Sequence, residues 1–302
     1  MFSKITLLVK NTHGIAVKSR VRCLRTQMPL VLQSKDSPDG ENRADNLTHF
    51  GYQIVSKEEK NKKSLKVFED ISQSYDFMND VLSLGLHRMW RNIFVEELGP
   101  KPGSKLLDVA GGTGEIAVRL LNYLSNTQSV NKKQTHLTIS DINQHMLNAG
   151  KAKIERLPYR DKANCVVDWV CADAENLQFE DNTFTAYTMG FGIKYCSHID
   201  KVLSEAYRVL APGGRFLCLE FSHLTNETLQ KIFNTLSLTV IPAIGQLLTG
   251  QTDIYKYLVE SIQLFPHKDE FVRMIRSAGF SHVTYRDLSL GLISIHSGFK
   301  LK

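Results

Sequence analysis

Cysteine, long apolar runs and acid near the N-terminus are what this 302-residue sequence has little of. The five cysteines (Cys23, Cys165, Cys171, Cys196, Cys218) form no C-x-x-C pair, so neither a disulfide framework nor a thiol redox motif is indicated. They read as reduced, structural residues of an intracellular protein. No His/Cys/Asp cluster has metal-ligand spacing, and no metal is expected. The uncharged stretch Leu236 to Leu248 is too short, and too interrupted by Pro242 and Gly245, to span a bilayer. It fits a lid that meets an apolar substrate or a membrane surface, and fits a core helix equally well. Residues 1–35 hold seven basic residues and no acid. The remainder has 30 Lys and Arg against 31 Asp and Glu, so the overall charge of +6 belongs to that leader. A basic nucleic-acid face is therefore not indicated. The leader has the composition of a mitochondrial transit peptide. Residues 36–64, opening on the polar stretch Asp36 to Asn42, read as linker and extension, and 65–302 as the catalytic domain.

What is present centres on Lys105 to Glu115, K-L-L-D-V-A-G-G-T-G-E. An apolar run stops at Gly111, Gly112 and Gly114, and helical spacing (Ile116, Ala117, Leu120, Leu121) begins at once. This is a buried strand, a glycine turn and a helix start, with glycine expected where a side chain would keep a ligand off the backbone. A dinucleotide and S-adenosylmethionine compete as the ligand. The spacing is G-G-x-G, not G-x-G-x-x-G, and Glu115 opens the helix, where a carboxylate would repel a pyrophosphate. Asp141 ends the next strand, placed for two ribose hydroxyls or as a helix N-cap, and Asp173 follows a third apolar run. These features favour the methyl donor, with the dinucleotide kept as the alternative.

Strands near 105–110, 136–141, 165–171, 183–189 and 215–221 alternate with helices near 114–125, 143–157 and 198–210. A helix over Pro266 to Gly279 and strands near 282–288 and 291–297 complete the pattern. The expected fold is α/β, a seven-stranded, mostly parallel sheet with helices on both faces. Pro212-Gly213-Gly214 is the turn into the fifth strand, and apolar spacing over Leu65 to Met78 predicts a helix over the ligand end. Ligands in such sheets collect at the carboxyl ends of strands, where Asp108, Asp141, Asp173, Met189 to Tyr195 and Glu220 to His223 should converge. Tyr75 to Trp90 mixes aromatic, amide, acid and imidazole groups in a way that suits a pocket wall. His87 and Trp90 also fit the ordinary packing of a half-buried helix.

Two long stretches carry a family resemblance. Tyr75 to Trp90 (Y-D-x-M-N-x-x-x-S-x-x-x-H-x-x-W) and Arg208 to Ser222 (R-V-L-x-P-G-G-R-F-x-C-L-E-F-S) resemble the signatures of the ubiquinone/menaquinone C-methyltransferases. Leu107 to Ala117 is similar to that family's cofactor loop, and the match continues from about Phe50 to Lys302. The resemblance implies a class I (Rossmann-like) S-adenosylmethionine-dependent fold and C-methylation of a polyprenyl benzoquinol ring in ubiquinone biosynthesis. It carries the cofactor contacts onto Thr113, Asp141 and Asp173-Ala174; with Asp108, Gly111, Gly112 and Gly114 these are the candidate cofactor residues. Members act at the matrix face of the inner membrane in a multiprotein complex, and a homodimer is a further expectation.

Departures from the family fall where the acceptor is expected. F-G-I-R-N of the family is Phe191-Gly-Ile-Lys194-Tyr195 here, and the Lys before P-G-G is Ala211. Lys keeps the charge of Arg but loses its planar fork. These changes motivate an alternative reading, a cofactor-binding structural subunit with weakened chemistry. Methyl transfer to a ring carbon needs alignment in a dry pocket and a hydroxyl that sheds its proton. Lys194 and Tyr195 are the candidate catalytic residues, Lys194 steadying a developing phenolate. Tyr75, Asn79, His87 and His223 are the candidate substrate contacts.

Overall fold

Between residues 47 and 98 the chain builds a hairpin and three helices before it enters its sheet. In a computed structural model, residues 47–71, 75–127, 133–250 and 252–302 are described. Strands β1 (Leu47–Phe50) and β2 (Gln53–Ser56) pair antiparallel. Their turn takes Gly51 at φ 57°, and the Tyr52 N–H donates to Glu260 Oε2 at 3.1 Å, leaving no room for a side chain at Gly51. Helices α1 (Lys57–Ile71), α2 (Tyr75–Ser83) and α3 (Leu86–Leu98) follow. The single helix expected over 65–78 is therefore two, and the first begins at Lys57. Part of the expected linker is folded: residues 47–64 form the hairpin and the first turns of α1. Residues 1–35 and the rest of the linker lie outside the described residues.

The apolar run ahead of the glycine turn is the central strand, β3 (Lys105–Val109). Helix α4 (Glu115–Asn126), β4 (Thr135–Asp141), α5 (Gln144–Glu155), β5 (Cys165–Cys171), β6 (Phe184–Gly190), α6 (Ile199–Val209) and β7 (Leu210–Phe221) continue the alternation. Helices α7 (Glu227–Thr249), α8 (Thr252–Leu264) and α9 (Lys268–Ser277) precede the closing strands β8 (Ser281–Leu288) and β9 (Ile293–Phe299). The sheet runs β5-β4-β3-β6-β7-β9-β8, parallel except where β9 pairs antiparallel with both neighbours.

Alternation along β3 sends Leu106 to one face and Leu107 and Val109 to the other, so each face needs its own cover. One core packs Trp90 and Phe94 of α3 and Leu120 and Leu121 of α4 against Leu106, Leu137 and Ile139. The other packs Val202 and Leu203 of α6 and Phe271 and Ile275 of α9 against Leu107, Val109 and Phe216. Helices on both faces thus follow from the strand period. Pro212-Gly213-Gly214 is a bulge inside β7, where the pairing with β6 shifts between Phe184–Leu210 and Ala186–Arg215. Of the cysteines, Cys165 and Cys218 are buried in strands, and the four described are free thiols.

Leu236 to Leu248 belongs to α7, which is longer than the uncharged stretch itself. Counted over Glu227–Leu248, this helix is long and apolar enough to cross a membrane, by length and composition only. It is no core helix: Leu236 and Leu247 are 55% and 84% exposed, and Ile232 and Val240 also face outward. Its other side, through Phe233, Ser237 and Ile241, lines a cavity described below.

Candidate active site

The turn after β3 alternates hand to fit its neighbours. Ala110, Gly112 and Gly114 take φ of 52°, 53° and 76°, and Gly111 donates its N–H to Ser140 O at 3.0 Å. A Cβ at Gly111 would lie 2.5 Å from Ile139 Cγ2. That glycine therefore answers to strand β4 beside it, a stricter demand than the expected ligand clearance. A Cβ at Gly112 would lie 3.3 Å from Met146 Cε, and the Gly112 N–H donates to Asp141 Oδ2 at 2.9 Å. Asp141 Oδ1 accepts from the Asn143 N–H at 2.8 Å, while Asn143 itself caps α5 by accepting from His145 and Met146. The N-cap role considered for Asp141 thus belongs to Asn143. Burial lifts the Asp141 carboxyl to about 6 against the pull of the Asn143, Gly112 and Ile142 N–H groups.

Gly111, Gly112, Thr113, Asp141, Asp173 and Ala174 line one crevice at the carboxyl ends of β3, β4 and β5. Asp108 and Gly114 do not. Asp108 is fully buried beneath the floor, where Thr188 donates to it at 2.8 Å, and burial pushes its carboxyl up to about 7. Gly114 is spent on the N-cap of α4. Asp173 Oδ1 accepts from Glu175 N at 2.9 Å. Glu175, absent from the sequence-derived site, is the hub of this wall: it accepts from Ser197 N (2.7 Å), His198 N (3.0 Å) and Lys57 Nζ (2.7 Å). Asn61, Ser64 and Leu65 of α1 close the opposite side. The Thr113 hydroxyl donates to Asp76 at 3.0 Å, and Lys153 bridges Asp76 to Glu115. Burial would raise Glu115, but Lys153 and Arg119 hold its carboxyl at about 2.

A second, apolar cavity adjoins the crevice. Leu82, Leu86 and Trp90 from α2 and α3, Phe233 and Ile241 from α7, and Leu258 and Ile262 from α8 line it. Arg91, Phe191 and Tyr195 belong to the walls of both cavities. Arg91 was not singled out in the sequence. A buried cation in a helix leaves no local pattern, because what buries it lies elsewhere in the chain. Asn79 and His87 line the apolar cavity, as the reading of Tyr75 to Trp90 expected, and Asn79 Nδ2 is buried with no hydrogen-bond partner. The Tyr75 side chain lies outside the described residues.

Two candidates sit differently from expectation. His223 lines neither cavity: its Nε2–H donates to Phe265 O at 2.9 Å and its ring stacks on His267 at 3.9 Å. Two residues beyond the end of β7 the chain has already turned away. Lys194 lines the apolar cavity but its side chain is 1% exposed, with the ammonium paired with Glu220 Oε1 at 2.9 Å and donating to Phe191 O at 2.7 Å. Its charge is thus already met inside the protein. Burial lowers its pKa, with Glu220 opposing. Ala211 lies in the bulge at the start of β7, outside the walls of both cavities.

The sequence matches the ubiE/COQ5 methyltransferase family over residues 54–300. The chain belongs to that family. It is 52% identical to the mitochondrial 2-methoxy-6-polyprenyl-1,4-benzoquinol methylase of Drosophila melanogaster, over 97% of this chain and 99% of that protein. The proteins of the same name from Dictyostelium discoideum and Homo sapiens are 46% and 44% identical, covering 95% and 92% of this chain and 96% and 91% of theirs. Among solved structures, a SAM-dependent methyltransferase from Thermotoga maritima aligns with a TM-score of 0.51 at 19% identity, over 78% of this chain and 98% of that one. That likeness shows the fold, the class I methyltransferase sheet. Near-complete coverage of relatives named as methylases favours an active methyltransferase over the structural-subunit alternative.

Proposed function

We propose that this chain transfers the methyl group of S-adenosylmethionine to a ring carbon of a polyprenyl benzoquinol, a step of ubiquinone biosynthesis. The observation that carries the reading is the junction of a polar, acid-walled crevice with an apolar chamber across Arg91, Phe191 and Tyr195. The crevice fits the methyl donor by its charge. Glu115, Asp141, Asp173 and Glu175 line it, against Arg91 as the one cation among its described lining residues. Such a wall repels a diphosphate and tolerates a sulfonium, which weighs against a dinucleotide.

S-Adenosylmethionine, when bound, supplies an electrophilic methyl. Asp141 accepts the ribose hydroxyls, Asp173 and Ala174 meet the base, and Gly111, Gly112 and Thr113 lend their backbone. The chamber excludes water and takes the acceptor ring with the start of its tail. Asn79, with its unpartnered amide N–H, and Tyr195 orient that ring. The Lys194–Glu220 pair keeps the chamber floor in place. The exposed leucines of α7, together with Leu84 at 88% exposure on the chamber rim, make peripheral contact with the inner membrane at its matrix face. Residues 1–35 act as the transit peptide, and a second copy and other proteins of a biosynthetic complex are the partners of this reading.

Expression in cells deprived of their own methylase tests the proposal. Restored ubiquinone is the expected result. Accumulation of the demethylated quinone despite stable protein would leave only the structural-subunit reading.

A further inference from the structure

Two amides in the chamber wall share one condition. Among the described residues that line it, Asn79 and Gln263 each hold a buried side-chain atom with no hydrogen-bond partner, Nδ2 and Nε2, and both atoms are N–H donors. Acceptors left in the same condition, among them Asp108 Oδ2 and Glu220 Oε2, belong to residues outside that wall. A buried N–H without an acceptor is costly, so two of them in one apolar wall call for an acceptor from outside the chain.

The fold places each amide deliberately. Asn79 follows Asp76 by three residues on α2, hence on the same side of the helix. Asp76 is fixed to the crevice by the Thr113 hydroxyl at 3.0 Å, and one turn later Asn79 meets the chamber, its carbonyl taking the Ser83 hydroxyl at 2.6 Å. Gln263 comes from α8, one turn after Val259, which lines the chamber with it. The two ends of the Gln263 amide have different surroundings. On the exposed side the Tyr52 hydroxyl donates to Oε1, and the Tyr52 N–H is held by Glu260 Oε2 at 3.1 Å. With Oε1 turned out to the hairpin, Nε2 is the end left inside. The β1–β2 hairpin, whose residues line neither cavity, thereby sets the direction of a chamber group.

We propose that Asn79 and Gln263 are specificity-determining residues of the acceptor site, two amide donors that hold the acceptor's methoxy oxygen and the ring oxygen on the neighbouring carbon. The inference rests on reading the apolar chamber as the acceptor site. An ether oxygen has lone pairs and no proton, so it satisfies a donor and asks for nothing in return. A hydroxyl in its place would bury an O–H as well. An ethyl group of the same size leaves the donor unpaired, and a site built to hydrogen-bond rejects such an analogue more sharply than an apolar pocket rejects by size. Two points of hold also stop the ring from turning in its plane, so one ring carbon is presented to the crevice.

The test compares 6-decyl-2-methoxyhydroquinone with its 2-ethyl counterpart, bound to the full-length chain in the absence of air and followed by calorimetry. The wild type should bind the methoxy compound about 3- to 10-fold more tightly, the worth of one neutral hydrogen bond. In one of the variants Asn79→Leu and Gln263→Leu that preference should vanish. The other should weaken both compounds alike, by about 3- to 10-fold, because it loses the ring oxygen they share. Tyr52→Phe leaves the Gln263 amide untethered and should weaken the same hold by less than Gln263→Leu does. In turnover both Leu variants should release a second methylated isomer, since this ring has two free carbons and is then held at one point. A loss of structure alone would not move the isomer ratio. Where a Leu variant does not fold, Asn79→Asp or Gln263→Glu, of the same shape but without the N–H, carries the test. No methoxy preference in the wild type, or one unchanged in both Leu variants, overturns the assignment while leaving the chamber as acceptor site. Compounds that bind no form of the protein overturn that reading of the chamber, and this one with it.

Discussion

In the crevice the two aspartates that follow adjacent strands are each fixed by backbone N–H groups: Gly112 and Asn143 on Asp141, Glu175 on Asp173. In the chamber the walls come from α2, α3, α7 and α8, and the polar groups are fixed by other side chains: Asp80 on His87, His87 on Arg91, Glu220 on Lys194. A backbone N–H stays in place when a side chain is altered, whereas a side-chain partner does not. Single substitutions should therefore act locally in the crevice and spread in the chamber.

Substitutions at three positions separate the two regions, and the largest effect belongs to the chamber. Lys194→Ala leaves Glu220, 1% exposed, as an uncompensated buried carboxylate, with an expected loss of about 3 to 5 kcal/mol in chemical denaturation. A well-folded Lys194→Ala with low turnover would instead give Lys194 a direct part in the chemistry. Next comes Asp141→Ala, which should weaken S-adenosylmethionine binding about 10- to 100-fold by calorimetry with little change in melting temperature. The ribose hydroxyls of the methyl donor need the carboxylate form, and burial sets its ionisation near 6. Donor affinity should thus be flat above about pH 6 and fall as the pH drops through it, a fall that Asp141→Asn abolishes. The smallest effect is Ile241→Trp, which fills chamber space from α7 and should raise KM for a tailed acceptor roughly 10-fold with donor affinity unchanged. Equal effects of Ile241→Trp on both ligands would mean that crevice and chamber are one compartment.

The sheet was legible because its strands are apolar runs with punctuation: Leu106 to Val109 ahead of three glycines, Cys165 to Cys171 ahead of Asp173. The crevice followed from the rule that strand ends gather in one place. That rule sets where an end lies and not where the next side chain points, so Asp108 turned into the floor and His223 toward Phe265. The chamber was legible only in part. The composition of Tyr75 to Trp90 pointed to Asn79 and His87, but Arg91 next to them looked like one more basic residue on a helix. Its burial depends on Phe191, distant in sequence, and no local pattern reports that. The same holds for Glu175, whose partners Lys57, Ser197 and His198 come from separate segments.

One wall of the crevice is older in synthesis than the sheet it closes. Asn61, Ser64 and Leu65 of α1 reach the crevice before β3 is made, and α1 is held down by Lys57 on Glu175 and by Lys60 on the Cys196 carbonyl. If residues 1–35 act as the proposed transit peptide, a cut before Leu47 would spare that wall. A cut a few turns later would remove part of α1 and open the crevice to water along one side, so on that reading the position of the scissile bond would decide whether the protein can retain its ligand.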